Sequence, residues 1–393
     1  MDTQNTSIHI RHWGREFWFM SFANLLLTLA ICMQAICMPE SAYHLGMSYA
    51  ETSMQVAAYA VGLYLLGPFC NYLTQTYRRN KVCLLTMAVF GGVIYAISYF
   101  TSHPYCVDHN LLFIFGIITA LLMGMTYGLS QMLFTSTLVI DKCESFMRTE
   151  ANHHVSWMGR IGLSLGCFLA VSLGPTDRHT FMVAVVSVAI AIVLLMMVRF
   201  PFKSPEDDVP LVSLDRFFLP RGFWLFLNLL LITMIMGLLL STIREASFYL
   251  FLLGGFALAM LAERFAFADA DLKSEAVTGL ISLFFALLLL MWRRDMTVVH
   301  VIAPVMVGFG IGIIGSRFLL FFIKLSEHCQ RGTSQSTFVL AWETGISLGL
   351  ALGVGLFHCH LNDILTCAMA LAAIALALYV GWVHGWYLSH KSR

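Results

Sequence analysis

Apolar runs of about 20 residues recur from one end of the chain to the other, broken by short stretches rich in charge, Pro, Asn and Asp. A helix rising 1.5 Å per residue needs roughly 20 apolar residues to cross a ~30 Å hydrocarbon core, and lipid accepts only helices or closed barrels. Each run therefore predicts a membrane-spanning helix. Reading from break to break gives twelve, at 17–38, 52–70, 82–100, 111–139, 155–174, 181–198, 222–243, 246–262, 276–292, 298–323, 335–357 and 364–388. The seventh and eighth are separated only by "TIREAS", and the ninth, "AVTGLISLFFALLLLMW", is short.

Composition agrees with this pattern. The chain is 59% hydrophobic and 11% charged, with a mean hydropathy of +0.79, where a soluble exterior needs roughly a quarter of its residues charged. A net charge of +1 gives no reason to expect nucleic acid as a partner. Ten cysteines sit singly, most of them inside spans, and make no disulfide framework. The first sixteen residues are polar and lead into a full-length span, so no cleaved leader is expected.

Charge bias orients the spans. With the amino terminus inside, 17 of the Lys and Arg fall on the cytoplasmic side and 4 outside, with Arg160 and Arg317 inside spans. This predicts both termini in the cytoplasm of a plasma (inner) membrane. The longest polar interruption, "RFPFKSPEDDVPLVSLDRFFLPRG", carries four prolines and has six spans on either side. The expected organisation is an amino-terminal six-helix bundle over 1–198, a cytoplasmic linker over 199–221 and a carboxy-terminal six-helix bundle over 222–393.

Six plus six invites a search for a repeat. Shifting by 183 residues aligns "ESFMRTEANHHVSWMGRIGLSLGCFLA" with "EHCQRGTSQSTFVLAWETGISLGLALG" without a gap. Glu144 meets Glu327, Arg148 meets Arg331, Gly162 meets Gly345 and Gly166 meets Gly349, while Ala170 meets Gly353 and Arg160 meets Glu343. Small residues every fourth position put Gly162 and Gly166 on one face, and Gly345, Gly349 and Gly353 on another, so each helix can approach a neighbour closely. Arg160 and Glu343 fall one to two turns into their spans, an expected 5–10 Å below the surface at about 1.5 Å per residue. Such residues either snorkel or pair structurally, or they line a permeation pathway.

The chain resembles transporters of the major facilitator superfamily (MFS) over nearly all of its length. Twelve spans, two halves, a cytoplasmic linker and a parallel repeat carry the resemblance. The superfamily's signature between spans two and three is Gly-x-x-x-Asp-(Arg/Lys)-x-Gly-(Arg/Lys)-(Arg/Lys). Here "GPFCNYLTQTYRRNKV" keeps Gly67, replaces the Asp with Asn71, lacks the second Gly and brings Arg78 and Arg79 three residues late. That departure puts the signature's ion pair in question. The Glu144/Arg148 and Glu327/Arg331 steps look like the family's charged cytoplasmic loops, which makes all of these expected cytoplasmic gate residues. The resemblance implies an all-α fold of two pseudo-symmetric bundles and a central cavity lined by spans one, four, seven and ten.

On that implication the polar residues able to meet a substrate are Asn24, Gln34, Thr126, Tyr127, Gln131, Asn228, Thr233 and Arg317, with ordinary interhelical hydrogen bonding as the alternative for each. Arg317 needs a counter-charge from a substrate or from Glu343. Glu343, furthest inside a span, is the carboxylate best placed to take up a coupling proton. Glu40 and Asp141 read as interfacial and solvated. "HH" at His153 and "HCH" at His358 lack a complete ligand set, so no metal is expected, and no phosphate loop or partnered nucleophile suggests a cofactor or an enzyme. The expected function is secondary active transport of a small solute by alternating access, coupled to protons, by a monomer whose partners are the bilayer, the solute and H+. The alternative is a sensor or scaffold on a transporter-like fold.

Overall fold

The computed structural model describes residues 14–102, 108–143, 147–200, 208–267 and 271–391. Among the described residues twelve helices are long and apolar enough to cross a membrane: α1 Arg15–His44, α2 Tyr49–Thr76, α3 Arg79–Ser102, α4 His109–Lys142, α5 Arg148–Leu173, α6 Arg178–Met196, α7 Pro220–Thr242, α8 Ala246–Phe265, α9 Leu272–Trp292, α10 Thr297–Leu325, α11 Arg331–Gly355 and α12 Leu361–His390. No strand occurs among the described residues. Large apolar side chains such as Leu85, Val193, Leu261 and Phe265 stay exposed on the outer faces, as a hydrocarbon solvent permits.

Local chemistry sets several helix ends. Ser48 accepts from the Glu51 amide while Glu51 reaches back to the Ser48 amide, a reciprocal cap that starts α2. Gly174, at φ 96°, turns the chain from α5 into α6, where Asp177 caps the first turn. Near its end α4 widens into a π-turn over Phe134–Leu138.

The repeat found in the sequence appears in the packing. A Cβ on Gly162 would stand 2.6 Å from the Leu25 carbonyl of α1, and one on Gly166 would run into Leu29. One on Gly345 would stand 2.6 Å from the Leu230 carbonyl of α7, while Gly349 meets Met234 and Gly353 meets Ser241. The small-residue faces thus clamp α5 onto α1 and α11 onto α7 in equivalent ways.

The first six helices meet the last six mainly through α2 and α4 against α11 and α5 against α8. On the side away from the linker, Arg244 donates to Glu40 at 2.7 Å and Ser53 to the Ala351 carbonyl at 2.9 Å, both between the two groups of six. On the linker side the chain folds back into the mouth between them. The Arg216 amide donates to Thr333 at 2.8 Å, its guanidinium to Thr137 at 3.1 Å, and Phe217 covers Gly67.

Both α5 and α11 start earlier than their apolar runs suggest. Arg160 and Glu343 each lie 12 residues after the first residue of their helix, about 18 Å along the axis. They are therefore midway, and the expected shallow placement is corrected. The polarity of these first turns has a second source: Arg148, Thr149 and Asn152 of α5 and Arg331, Thr333 and Gln335 of α11 line an internal mouth, while Glu150 and His154 stay exposed.

Candidate functional site

Two connected hollows run between the groups of six. A vestibule of about 320 Å³ on the linker side is lined by Arg79, Arg148, Arg216 and Arg331 together with Asp141 and Asp215. Beyond it lies a central cavity of about 60 Å³, walled by α1, α4, α5, α10 and α11. Asn152 and Gln335 belong to both walls. Glu343 belongs to the central cavity and to a deeper apolar one that also holds Gln34.

Glu343 is held by two tyrosines from the first six helices. Tyr127 of α4 donates to Oε1 at 3.1 Å and Tyr59 of α2 to Oε2 at 3.5 Å. Among the described residues no cation comes within 4.0 Å of it. Tyr127 also accepts from Gln131 at 3.3 Å, and Gln131 donates to Thr28 at 3.4 Å. One carboxylate in α11 is thereby tied to three helices of the opposite group.

Arg160 lines the same cavity but does not pair with Glu343. It is 2% exposed, donates to Ser316 at 3.0 Å and to Ser156 at 3.1 Å, and lies 4.4 Å from the Trp157 ring centroid and 5.8 Å from that of Trp342. Two indole faces stabilise a cation that has no carboxylate against it.

Arg317 belongs to a separate cluster. Its Nε sits 2.5 Å from Glu275 of α9 and its Nη2 3.8 Å from Glu263 of α8, and Glu263 lies 3.3 Å from His153 of α5. Of the two counter-charges expected for Arg317, a substrate or Glu343, the second is corrected, because Glu275, just ahead of the ninth apolar run, lies in the first turn of α9 and points inward at 1% exposure.

The other candidates divide. Asn24 donates to the Val155 carbonyl at 3.1 Å, and its Oδ1 is buried without a partner on the cavity wall. Gln34 is fully buried with both amide atoms unpartnered. Asn228 instead donates to the Ala375 carbonyl of α12 at 3.0 Å, and Thr233 bonds backbone carbonyls, including that of Ala341. Asn228 and Thr233 join helices and do not line the central cavity.

At the linker-side mouth, Arg79, where the loop between spans two and three enters α3, pairs with Asp141 at the end of α4 at 2.5 Å, an ion pair that does not involve Asn71. Asn71 has its Oδ1 buried without a partner. Glu327 is taken by Arg221 at 3.2 Å, leaving Arg331 to the vestibule. Glu144 lies outside the described residues. Asn152, Gln335, Tyr59 and Trp342 were not singled out from sequence. Asn152 and Gln335 were detectable, since both fall four residues after aligned arginines in the repeat.

The sequence model that describes the major facilitator superfamily matches residues 19–350. The chain belongs to the major facilitator superfamily. It is thus an integral multi-pass membrane protein of a transporter family, and not an enzyme. No curated protein matches it in sequence. Solved MFS structures share the fold at low identity. A bacterial homologue of the iron transporter ferroportin, in an outward-facing state, is 14% identical with a TM-score of 0.68 over 94% of this chain and 100% of that one. The Escherichia coli fucose:proton symporter is 11% identical with a TM-score of 0.65 over 96% and 98%, and the nucleoside transporter NupG 10% identical with a TM-score of 0.64 over 96% and 100%. In this MFS chain α5 and α11 supply most of the central lining, and α7 supplies none of it. Of the spans expected to line it, one, four and ten do so and seven does not, which corrects that expectation for span seven alone.

Proposed function

We propose that this MFS protein is a proton-coupled secondary transporter of a small solute, working by alternating access of two bundles, 1–198 and 222–393, joined by the linker 199–221. The linker side is cytoplasmic in this reading, with both termini inside a plasma (inner) membrane, and the monomer is the transporting unit. Arg244–Glu40 and Ser53–Ala351 close the outside while the vestibule leads in from the cytoplasm.

One observation carries the proposal: Glu343, midway along α11, takes both of its side-chain hydrogen bonds from the other bundle. A carboxylate fixed that way couples protonation to bundle contact. Ionised, it accepts two hydroxyl hydrogens and holds the bundles together; protonated, it loses acceptor strength and frees them. The fold relationship with a fucose:proton symporter is consistent with coupling of this kind. The experiment is proton movement in proteoliposomes loaded with a pH-sensitive dye as pools of sugars, amino acids, organic anions and lipophilic cations are added in turn. A solute-dependent pH change that Glu343→Gln abolishes supports the reading; an equal change in Glu343→Gln overturns the coupling role.

A further inference from the structure

We propose that the solute is a small organic anion, drawn in and recognised by a ladder of side chains on α5 and α11. The proposal rests on the transport reading above and names its substrate class. On α5 the ladder is Arg148, Asn152, Ser156 and Arg160; on α11 it is Arg331, Gln335, Val339 and Glu343. The steps are four residues apart, so each set lies along one helix face, and the two sets are related by the 183-residue repeat. Every member lines the vestibule or the central cavity.

Charge decides the class. In the vestibule four arginines face two aspartates; Arg79 is paired with Asp141 and Arg216 lies 4.0 Å from Asp215, which leaves Arg148 and Arg331 without a carboxylate among the described residues. All four belong to the cytoplasmic count of the positive-inside rule, but Arg148 and Arg331 open helices whose side chains wall a cavity, where they can also meet a solute. Orphaned donors continue inward. Among the described residues the Nε of Arg148, the Nδ2 of Asn152 and the Nε of Arg160 are buried donors without hydrogen-bond partners, and Asn152, whose acceptor Oδ1 is also unpartnered, is only 3% exposed. A buried N–H left unpaired costs about 1–3 kcal/mol, and a carboxylate or phosphate oxygen satisfies it better than a hydroxyl does. A cavity of one sign also concentrates solutes of the other and repels cations.

The proton fits the same geometry. The titratable groups facing Glu343 are Tyr59, Tyr127 and Cys32. The one facing Arg160 is Glu263, already held by His153 and Arg317. Glu343 is the acid on the central wall. A proton there removes the negative charge that would repel a solute anion held at Arg160 across the same cavity, so anion and proton bind together and move as a symport.

Cys329 lines the vestibule and is exposed, which supplies a native probe. In full-length protein with Cys106, Cys143, Cys359 and Cys367 replaced by serine, its reaction rate is measured with methanethiosulfonates carrying a sulfonate or a trimethylammonium, each normalised to a free thiol. The sulfonate reagent is expected to be favoured by about tenfold, the low end of cleft focusing, and Arg148→Gln with Arg331→Gln to bring the ratio near one. A ratio at or below one in the parent protein overturns the proposal. A second measurement uses Gln335→Cys and asks what slows its labelling. Protection by lactate, succinate or glycerol 3-phosphate supports the assignment; protection by xylose, uridine or choline and by none of the anions overturns it. Neither readout needs turnover, so failure here leaves the transport reading to its own proton-movement test.

Discussion

Tyr127 gives its hydroxyl hydrogen to Glu343 across the interface between the two groups of six helices, at 3.1 Å. The acceptor lies midway along α11 and the donor is fully buried in α4. The acidic group of the central cavity is therefore also a fastening between the parts of the protein that must separate if access alternates.

Glu343→Gln keeps an oxygen to accept from Tyr127 and cannot ionise. The variant is expected to fold and to exchange solute across vesicles, while accumulation driven by a proton gradient falls on the order of tenfold or more, as befits a functional acid in the membrane. Parallel uptake and counterflow assays read the difference.

The two tyrosines are not equivalent. At 3.1 Å the Tyr127 bond is well formed, whereas that from Tyr59 at 3.5 Å is at the limit of a hydrogen bond. Tyr127→Phe is expected to cost about 1.5–3 kcal/mol, the range for bonds to charged groups, and Tyr59→Phe distinctly less. Melting temperatures and uptake rates of the two variants give the order, and a larger loss in Tyr59→Phe would contradict it.

Gly345→Ala places a methyl against Thr233 and the Leu230 carbonyl, and backbone cannot yield as a side chain tip does. A destabilisation of about 1–3 kcal/mol is expected from overpacking. Gly381, inside α12 with nothing within 4 Å of an added Cβ, is the control, and Gly381→Ala should not lower the melting temperature, since Ala favours a helix over Gly.

Arg79 and Asp141 form a half-buried pair, with 14% and 26% of their side chains exposed. Each single neutralisation is expected to loosen α3 from the end of α4 at the linker-side mouth. A double-mutant cycle should return a coupling of about 0.5–3 kcal/mol, and Arg79→Asp with Asp141→Arg should recover part of the lost uptake. Additive single effects would show the contact to be inert.

The twelve helices were legible because lipid imposes length and apolarity on every span, and even the brief "TIREAS" break separates α7 from α8. The repeat was legible too, since Gly162 and Gly345 answer one packing demand at equivalent places. The depth of Arg160 and Glu343 was not. Hydropathy marks where a helix meets lipid, and the first turns of α5 and α11 also line a wet cavity. Nor did hydropathy show that Glu275 turns inward to Arg317, because one charged residue beside an apolar run looks alike on either face of a helix. Tyr59 was hidden for the opposite reason: a tyrosine in an apolar run reads as packing until its hydroxyl has a partner.

Spin labels placed in pairs across the outer ends of α1 and α7, and across the linker-side ends of α5 and α10, would test the coupling of Glu343 to alternation most directly, with distance distributions taken at pH 5 and pH 8. The account predicts that the two distances change in opposite senses with pH in the parent protein and that Glu343→Gln gives one distribution at both. Distances that ignore pH, or that respond to it equally in Glu343→Gln, would contradict it.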